Sequence, residues 1–278
     1  MLRYFWFIFL VCTAMAQTPQ MVRFAPLPMV KSQKLLEQYL PMLGYLESKI
    51  DVKFEIIYTQ NYADLIDKLG NGIVDIALLG PLPYVEATHR YPHIKPLVRF
   101  LDEKGNHSYT CSLFALKTHN TTLNNLRNAS FALTQKYSTC GFLATQKILY
   151  DHNSSLQNNQ YIFADSHTNA ILQVILGNAQ LGSAKSSIVE QYKHFDLQIL
   201  ATSQPFAGFL LVYQAQTLPI GVINAIKEEL LALKPLSNPS HAHITQTWGN
   251  NLRYGVVPAN DSHYDDIRTL LQTIKLPL

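Results

Sequence analysis

Ser138-Thr139-Cys140-Gly141 is the stretch of this chain best equipped for chemistry. It follows an apolar run at 130–134 that reads as a strand, and it precedes a helical pattern that starts near Gly141. The first N–H groups of a helix lack internal partners. Two hydroxyls, with the N–H groups of Cys140 and Gly141 behind them, therefore make a receptor for a small oxyanion such as phosphate or a phosphonate. The competing reading is a plain Ser/Thr N-cap, which needs no ligand. Further along, His167 opens another helix after Asp165 and Ser166. Its imidazole could give a proton or a hydrogen bond to the same anion, with a charge that responds to pH near neutrality.

Strand and helix patterns alternate along the chain, as they must to hold such loops at the ends of a sheet. Residues 22–25 read as a first strand, and 32–49 as a helix with Leu35, Leu36, Tyr39, Leu40 and Leu43 at helical spacing and Pro41 as a kink. Residues 52–58 alternate as a strand, 61–69 form a short helix ended by Gly70-Asn71-Gly72, and 74–79 form a buried strand. This is a βαβαβ unit with a mostly parallel sheet. After an apolar strand at 109–116, a second unit follows: strand 130–134, helix 141–150, strand 161–163 and helix 167–176, stopped by Gly177-Asn178. Lys68-Leu69-Gly70-Asn71 and Ile175-Leu176-Gly177-Asn178 thus occupy equivalent places in two related lobes.

The strands at 197–201 and 208–213 and the helices at 219–233 and 261–274 have no third lobe of their own. They are expected to return to the first lobe, so that the chain crosses between lobes twice, near 106–109 and near 201–206. The fold class is α/β, with two Rossmann-like lobes joined by two hinge strands: residues 17–107 and 205–278 in lobe 1, and 108–204 in lobe 2. A cleft between lobes joined in this way closes on a ligand by hinge bending.

Arg3, the apolar run at 4–11 and Ala14-Met15-Ala16 are the three regions of a cleavable secretory signal peptide over residues 1–16. Val11 stands before Cys12, where a lipoprotein signal would want a small residue, which argues against lipid anchoring. No later apolar run approaches the roughly 20 residues that span a bilayer. The expected product is soluble and exported, most simply to a bacterial periplasm. With 47% hydrophobic and 15% charged residues the composition is ordinary for a globular protein, and a net charge of +3 is too small to suggest nucleic acid. A monomer is expected, and no cofactor, the latter since neither a zinc spacing nor a dinucleotide fingerprint occurs. Cys111 and Cys140 alone survive processing, either paired or as free thiols.

Asn61-Tyr62, then Leu69-Gly70-Asn71-Gly72-Ile73-Val74-Asp75-Ile76-Ala77, then Gly80-Pro81-Leu82-Pro83-Tyr84 resemble the first lobe of the phosphate, phosphite and phosphonate binding proteins of ABC importers, the PhnD-like family. Ser138 to Gly141, Phe163-Ala164-Asp165-Ser166-His167 and Gly177 are similar to that family's second lobe in the same order. Tyr254-Gly255-Val256-Val257 with Tyr264-Asp265-Asp266-Ile267 resembles its ending. The match spans nearly the whole mature chain. It implies a type 2 periplasmic binding architecture, a small anionic ligand and permease subunits as partners. By this resemblance the ligand-binding residues are Ser138, Thr139, Cys140, Gly141 and His167, with Tyr62, Tyr109 and Tyr84 lining or capping the site. Tyr84 has a second reading as a support for the Gly80-Pro81 loop, and Asp75 reads as a buried group satisfying backbone.

Three departures from the family pattern bear on the ligand. Cys140 stands where the family has Ser, and a thiol is a poor donor. Gln180 and the segment Pro205-Phe206-Ala207-Gly208 lack acids that similar proteins carry, and Lys185 lies nearby. A site without acids and with a lysine disfavours an aminoalkyl phosphonate. A secreted sensor on the same fold is the alternative function. A hydrolase built on Ser138, His167 and an Asp is disfavoured, because no Gly-x-Ser-x-Gly elbow occurs.

Overall fold

The computed structural model describes residues 19–29 and 32–276, with no side-chain detail for 32–35; the signal segment lies outside the described residues. In the first sheet, strands β1 (Gln20–Ala25), β2 (Val52–Ile56) and β3 (Ile76–Leu79) pair in parallel, with β1 in the middle. Helix α1 (Ser32–Glu47) leads from β1 to β2 and carries Pro41 inside it. All four residues of β3 are buried, as a strand covered on both faces requires.

Helix α2 (Tyr62–Gly70) connects β2 to β3 and buries Tyr62, Leu65, Ile66 and Leu69 along one stripe. Asn61 caps it by accepting from the Asp64 N–H. The helix ends with the Gly72 N–H bonded to Leu69 O and the Ile73 N–H to Lys68 O, Gly72 lying at φ 70°. Helix α5 (His167–Ile175) ends in the same way, Gly177 at φ 74° bonding Val174 O and Asn178 bonding Gln173 O. The two lobes are therefore related as their order of elements suggests, but the equivalence pairs Gly72, not Gly70, with Gly177. Gly70 is required for a different reason, since a Cβ there would lie 2.3 Å from the Tyr91 ring.

Helix α3 (Pro81–Arg90) and strand β4 (Ile94–Phe100) follow β3, in a stretch where the sequence pattern assigned nothing beyond a loop at Gly80-Pro81. Prolines in the first turn of a helix cost no hydrogen bond, so Pro81 and Pro83 start a helix and do not break one. Strand β12 (Leu210–Gln214) inserts between β3 and β4, antiparallel to both. Strand β13 (Val256–Pro258) closes the edge, in the order β13-β4-β12-β3-β1-β2. The helices Ile220–Ala232 and Asp265–Thr273 pack here too, so the C-terminal segment joins the first sheet.

The second sheet contains β6 (Cys111–Leu116), β7 (Ser130–Leu133), β8 (Gln160–Phe163), β9 (Leu181–Lys185) and β10 (Leu197–Thr202), in the order β10-β6-β9-β7-β8. Between the sheets, β5 (Ser108–Tyr109) pairs antiparallel with β11 (Phe206–Ala207), and these two short strands are the crossings from one sheet to the other. The strand expected over 109–116 thus breaks at Thr110 into a hinge piece and a sheet piece. Asp75 precedes β3 and is 1% exposed. Its carboxylate accepts from Arg23 N at 2.7 Å, Nε at 3.0 Å and Nη2 at 2.5 Å, so it satisfies backbone and guanidinium together.

Candidate functional site

Four helix starts converge between the two sheets: α2 at Tyr62, α3 at Pro81, α5 at His167 and the helical segment that begins at Thr139. That last segment opens as a wide turn over Thr139–Ala144 before α4 (Thr145–Asp151), with both Phe142 N and Leu143 N bonded to Ser138 O. Tyr137 lies at φ 64°, a left-handed conformation that a bulky residue holds at a cost of roughly 1–2 kcal/mol, and this turn launches Ser138 into the cap position. Helix starts carry partial positive charge, so four of them aimed at one place favour an anion there.

Leu27, Tyr62, Gly80, Pro83, Tyr109, Ser138, Thr139, Cys140, His167 and Phe209 line a cavity of about 10 Å³ at that convergence, room for about one water. Of the residues expected from the sequence, Tyr62, Tyr109, Ser138, Thr139, Cys140 and His167 meet here. Gly141 and Tyr84 do not line the cavity. Gly141 donates its N–H to Ser138 Oγ at 3.1 Å, so that donor serves the cap. A Cβ on Gly141 would sit 2.2 Å from Thr134 Oγ1, so glycine is needed for the loop to lie against the end of β7. Tyr84 is turned away from the cavity into the first lobe, where its hydroxyl donates to Asp261 Oδ1 at 2.6 Å and its ring packs on Tyr264.

Cys140 is bonded to Cys111 as a disulfide. Pairing is thus the one of the two open readings that the structure realises. The Cys140 sulfur has no S–H to donate, and only its backbone N–H can face a ligand. Ser183 Oγ donates to Cys140 O at 2.7 Å, fixing the loop from β9.

Both hydroxyl oxygens already accept a backbone N–H, and the Ser138 hydrogen is left for a ligand. Ser138 Oγ accepts from Gly141, and Thr139 Oγ1 accepts from Leu82 N at 3.0 Å. This second bond crosses between lobes. Helix α3 has Gly80 as its N-cap residue, which has no side chain to cap with, so Thr139 of the other lobe does it. Gln135, which no sequence motif singles out, makes a second crossing. It accepts from Tyr62 N at 3.3 Å and donates to Pro28 O at 2.7 Å and to Asp165 O at 2.9 Å. An amide directly after an apolar strand is the one signal that could have found it. The lobes are thus closed upon each other around the cavity.

Burial raises the pKa of Tyr62 and of Tyr109, against which a Thr139 hydrogen bond works in the Tyr109 case, so both phenols stay neutral donors. His167 is held differently from the pH-sensitive group that the sequence suggested. Its Nδ1 accepts from Lys185 N at 3.2 Å, which assigns the ring proton to Nε2. Burial, with the Lys185 charge adding to it, pushes the pKa down to about 4 from an ordinary 6.5. The ring is a neutral donor at neutral pH.

Because the folded ring binds fewer protons than an unfolded one between pH 6.5 and about 4, its contribution to stability is complete above pH 6.5 and is lost as pH falls toward 4. Over that window the wild-type chain is expected to lose on the order of 3 kcal/mol more unfolding free energy than His167→Gln, read by urea denaturation at each pH. Equal pH dependence of the two chains would show that the ring is not held neutral.

Two sheets with this topology, two hinge strands between them and a cleft of converging helix starts define a type 2 periplasmic binding protein. A family model described as the periplasmic phosphonate substrate-binding protein of an ABC transporter matches residues 24–264, and the chain belongs to that family of importer components. It is 23% identical to the phosphate-import protein PhnD of Mycolicibacterium smegmatis, over 90% of this chain and 84% of that one. Among solved structures, PhnD1 of Prochlorococcus marinus in complex with methylphosphonate superposes with a TM-score of 0.76 at 17% identity, covering 92% of this chain and 98% of that one. A binding component of an ABC phosphonate transporter from Pseudomonas aeruginosa gives 0.74 at 17% identity, over 91% and 85%. The relatives are binding proteins of transporters, and the family is periplasmic.

Proposed function

We propose that this chain captures a small phosphorus oxyanion in the cleft between its lobes and delivers it to an ABC permease. The observation that carries this reading is the convergence of four helix starts, two hydroxyls and a neutral Nε2–H imidazole on one cavity that no Asp or Glu lines. Such a set offers donors alone, and charge-assisted bonds to an oxyanion are about twice as strong as neutral ones. Closure follows from differential affinity: an anion that touches Ser138 and His167 from one lobe and Tyr62 from the other is bound fully only when the lobes meet.

The lobes of this reading are 17–107 with 205–278, and 108–204; it is supported by β1 to β4, β12 and β13 sharing one sheet and β6 to β10 the other, with the β5–β11 pair between them. The site residues are Ser138, Thr139, His167, Tyr62 and Tyr109 through their side chains and Cys140 through its N–H. Residues 1–16 act as a signal peptide for export, and the mature chain works as a periplasmic monomer with no nucleic-acid partner. It binds and does not catalyse. A hydrolytic triad needs its histidine Nδ1–H to donate to a carboxylate, whereas Nδ1 of His167 accepts from Lys185 N.

Calorimetry on the mature chain against phosphate, phosphite, methylphosphonate and sulfate tests the reading. Micromolar or tighter binding of at least one phosphorus oxyanion is expected, roughly 8 kcal/mol, with sulfate as the comparison anion that has no proton to donate. Absence of heat and of a melting shift with every phosphorus oxyanion would overturn it.

A further inference from the structure

We propose that Lys185 sets the charge class of the ligand, so that the cleft takes a compact oxyanion without a cationic group and turns away one that carries an ammonium. This rests on the anion-binding reading of the cleft and sharpens it. Lys185 closes β9 beside the site. Its backbone N–H holds His167 Nδ1, and its Nζ lies 5.4 Å from the Tyr109 ring centroid and 5.5 Å from that of Phe209. These two rings stack at 5.4 Å and 10°, and both line the cavity together with His167. The ammonium therefore stands directly behind one wall of the cavity.

Among the described residues no carboxylate forms an ion pair with Lys185. The acid it feels is Asp102, whose carboxylate is already engaged by Lys104 N, Asn106 N and Asn106 Nδ2. Burial pushes the Lys185 pKa down, with Asp102 opposing, which is the mark of a cation short of counter-charge. A bound anion supplies that charge. A ligand ammonium would meet a like charge and no carboxylate, in a place where screening by solvent is weak.

Calorimetry with phosphate, methylphosphonate and 2-aminoethylphosphonate on the wild-type chain, Lys185→Gln and Lys185→Met separates charge from packing. The wild type should bind the better of the first two at least about tenfold more tightly than 2-aminoethylphosphonate, and both variants should shrink that ratio to about threefold or less. The imidazole of His167, followed by NMR, should titrate at higher pH in both variants, because the Lys185 charge adds to burial in holding its pKa down. An unchanged selectivity ratio in the variants, or a wild type that prefers the aminoalkyl ligand, would overturn the role of Lys185. The chain carrying Ser138→Ala and Thr139→Ala tells the two failures apart. If it still binds, the reading of the cleft is wrong; if it does not bind while Lys185→Gln keeps the ratio, only the inference about Lys185 falls.

Discussion

A chain carrying both Ser138→Ala and Thr139→Ala is expected to lose affinity for its phosphorus oxyanion by roughly 100-fold or more while remaining folded. Each hydroxyl has one oxygen lone pair committed inside the protein; the Ser138 hydrogen is free for the ligand, and that of Thr139 turns to it from Tyr109. Two lost charge-assisted bonds weaken binding by about 1.5–3 kcal/mol each. The Thr139 change adds a cost of closure, because the Leu82 N–H that now donates to Thr139 Oγ1 would be buried without a partner. The folded state suffers less, since a lost Ser N-cap costs about 1 kcal/mol. Thr139→Ser keeps the oxygen and should restore most of the affinity in an otherwise wild-type chain. Tyr84→Phe is the matching control: it removes the bond to Asp261 and should leave the affinity unchanged. Isothermal calorimetry reads the affinities and thermal unfolding reads the fold. Wild-type-like affinity in the double variant would place the ligand elsewhere.

The parts of this architecture that local residues determine were legible from them. Asn61 caps α2, Ser166 caps α5 by accepting from Asn169 N, and Gly72 and Gly177 stop the helices that lead to β3 and β9. The apolar runs between such signals could only be strands. What failed was whatever depends on context outside the segment. Pro81 and Pro83 look like breakers until their place in a first turn is known, and Pro96 inside β4 hides a strand whose partners β12 and β13 come more than 100 residues later. The site itself was half legible. Ser138, Thr139 and His167 announce themselves as polar groups at helix starts. Tyr84 does not reveal that its position on α3 turns it toward Asp261 while Pro83 faces the cavity. Gln135 could not be found from spacing, because its three partners lie at Pro28, Tyr62 and Asp165, on three different segments.

Loss of the Cys111–Cys140 bridge, through Cys111→Ala with Cys140→Ala or by a reductant, is expected to lower unfolding free energy by about 3–4 kcal/mol, as an entropic treatment of its loop predicts. The loop spans a sequence separation of 29, and both cysteines are buried, at 0% and 2% exposure. The same change should move ligand affinity by less than about threefold, for a structural reason. A cross-link acts mainly by restricting the unfolded chain. In the folded chain, Cys140 is also held by Ser183 Oγ and Thr145 Oγ1, which donate to its carbonyl at 2.7 and 3.3 Å. Gly141 packs on Thr134 and caps onto Ser138 without help from either sulfur. Denaturant unfolding with and without dithiothreitol, beside calorimetry on the double alanine chain, separates the two effects. If affinity fell in parallel with stability, the bridge would be what shapes the anion loop. If stability alone fell, the bridge would serve to keep the lobe folded in an oxidising compartment, and the ligand would recognise Cys140 through its backbone.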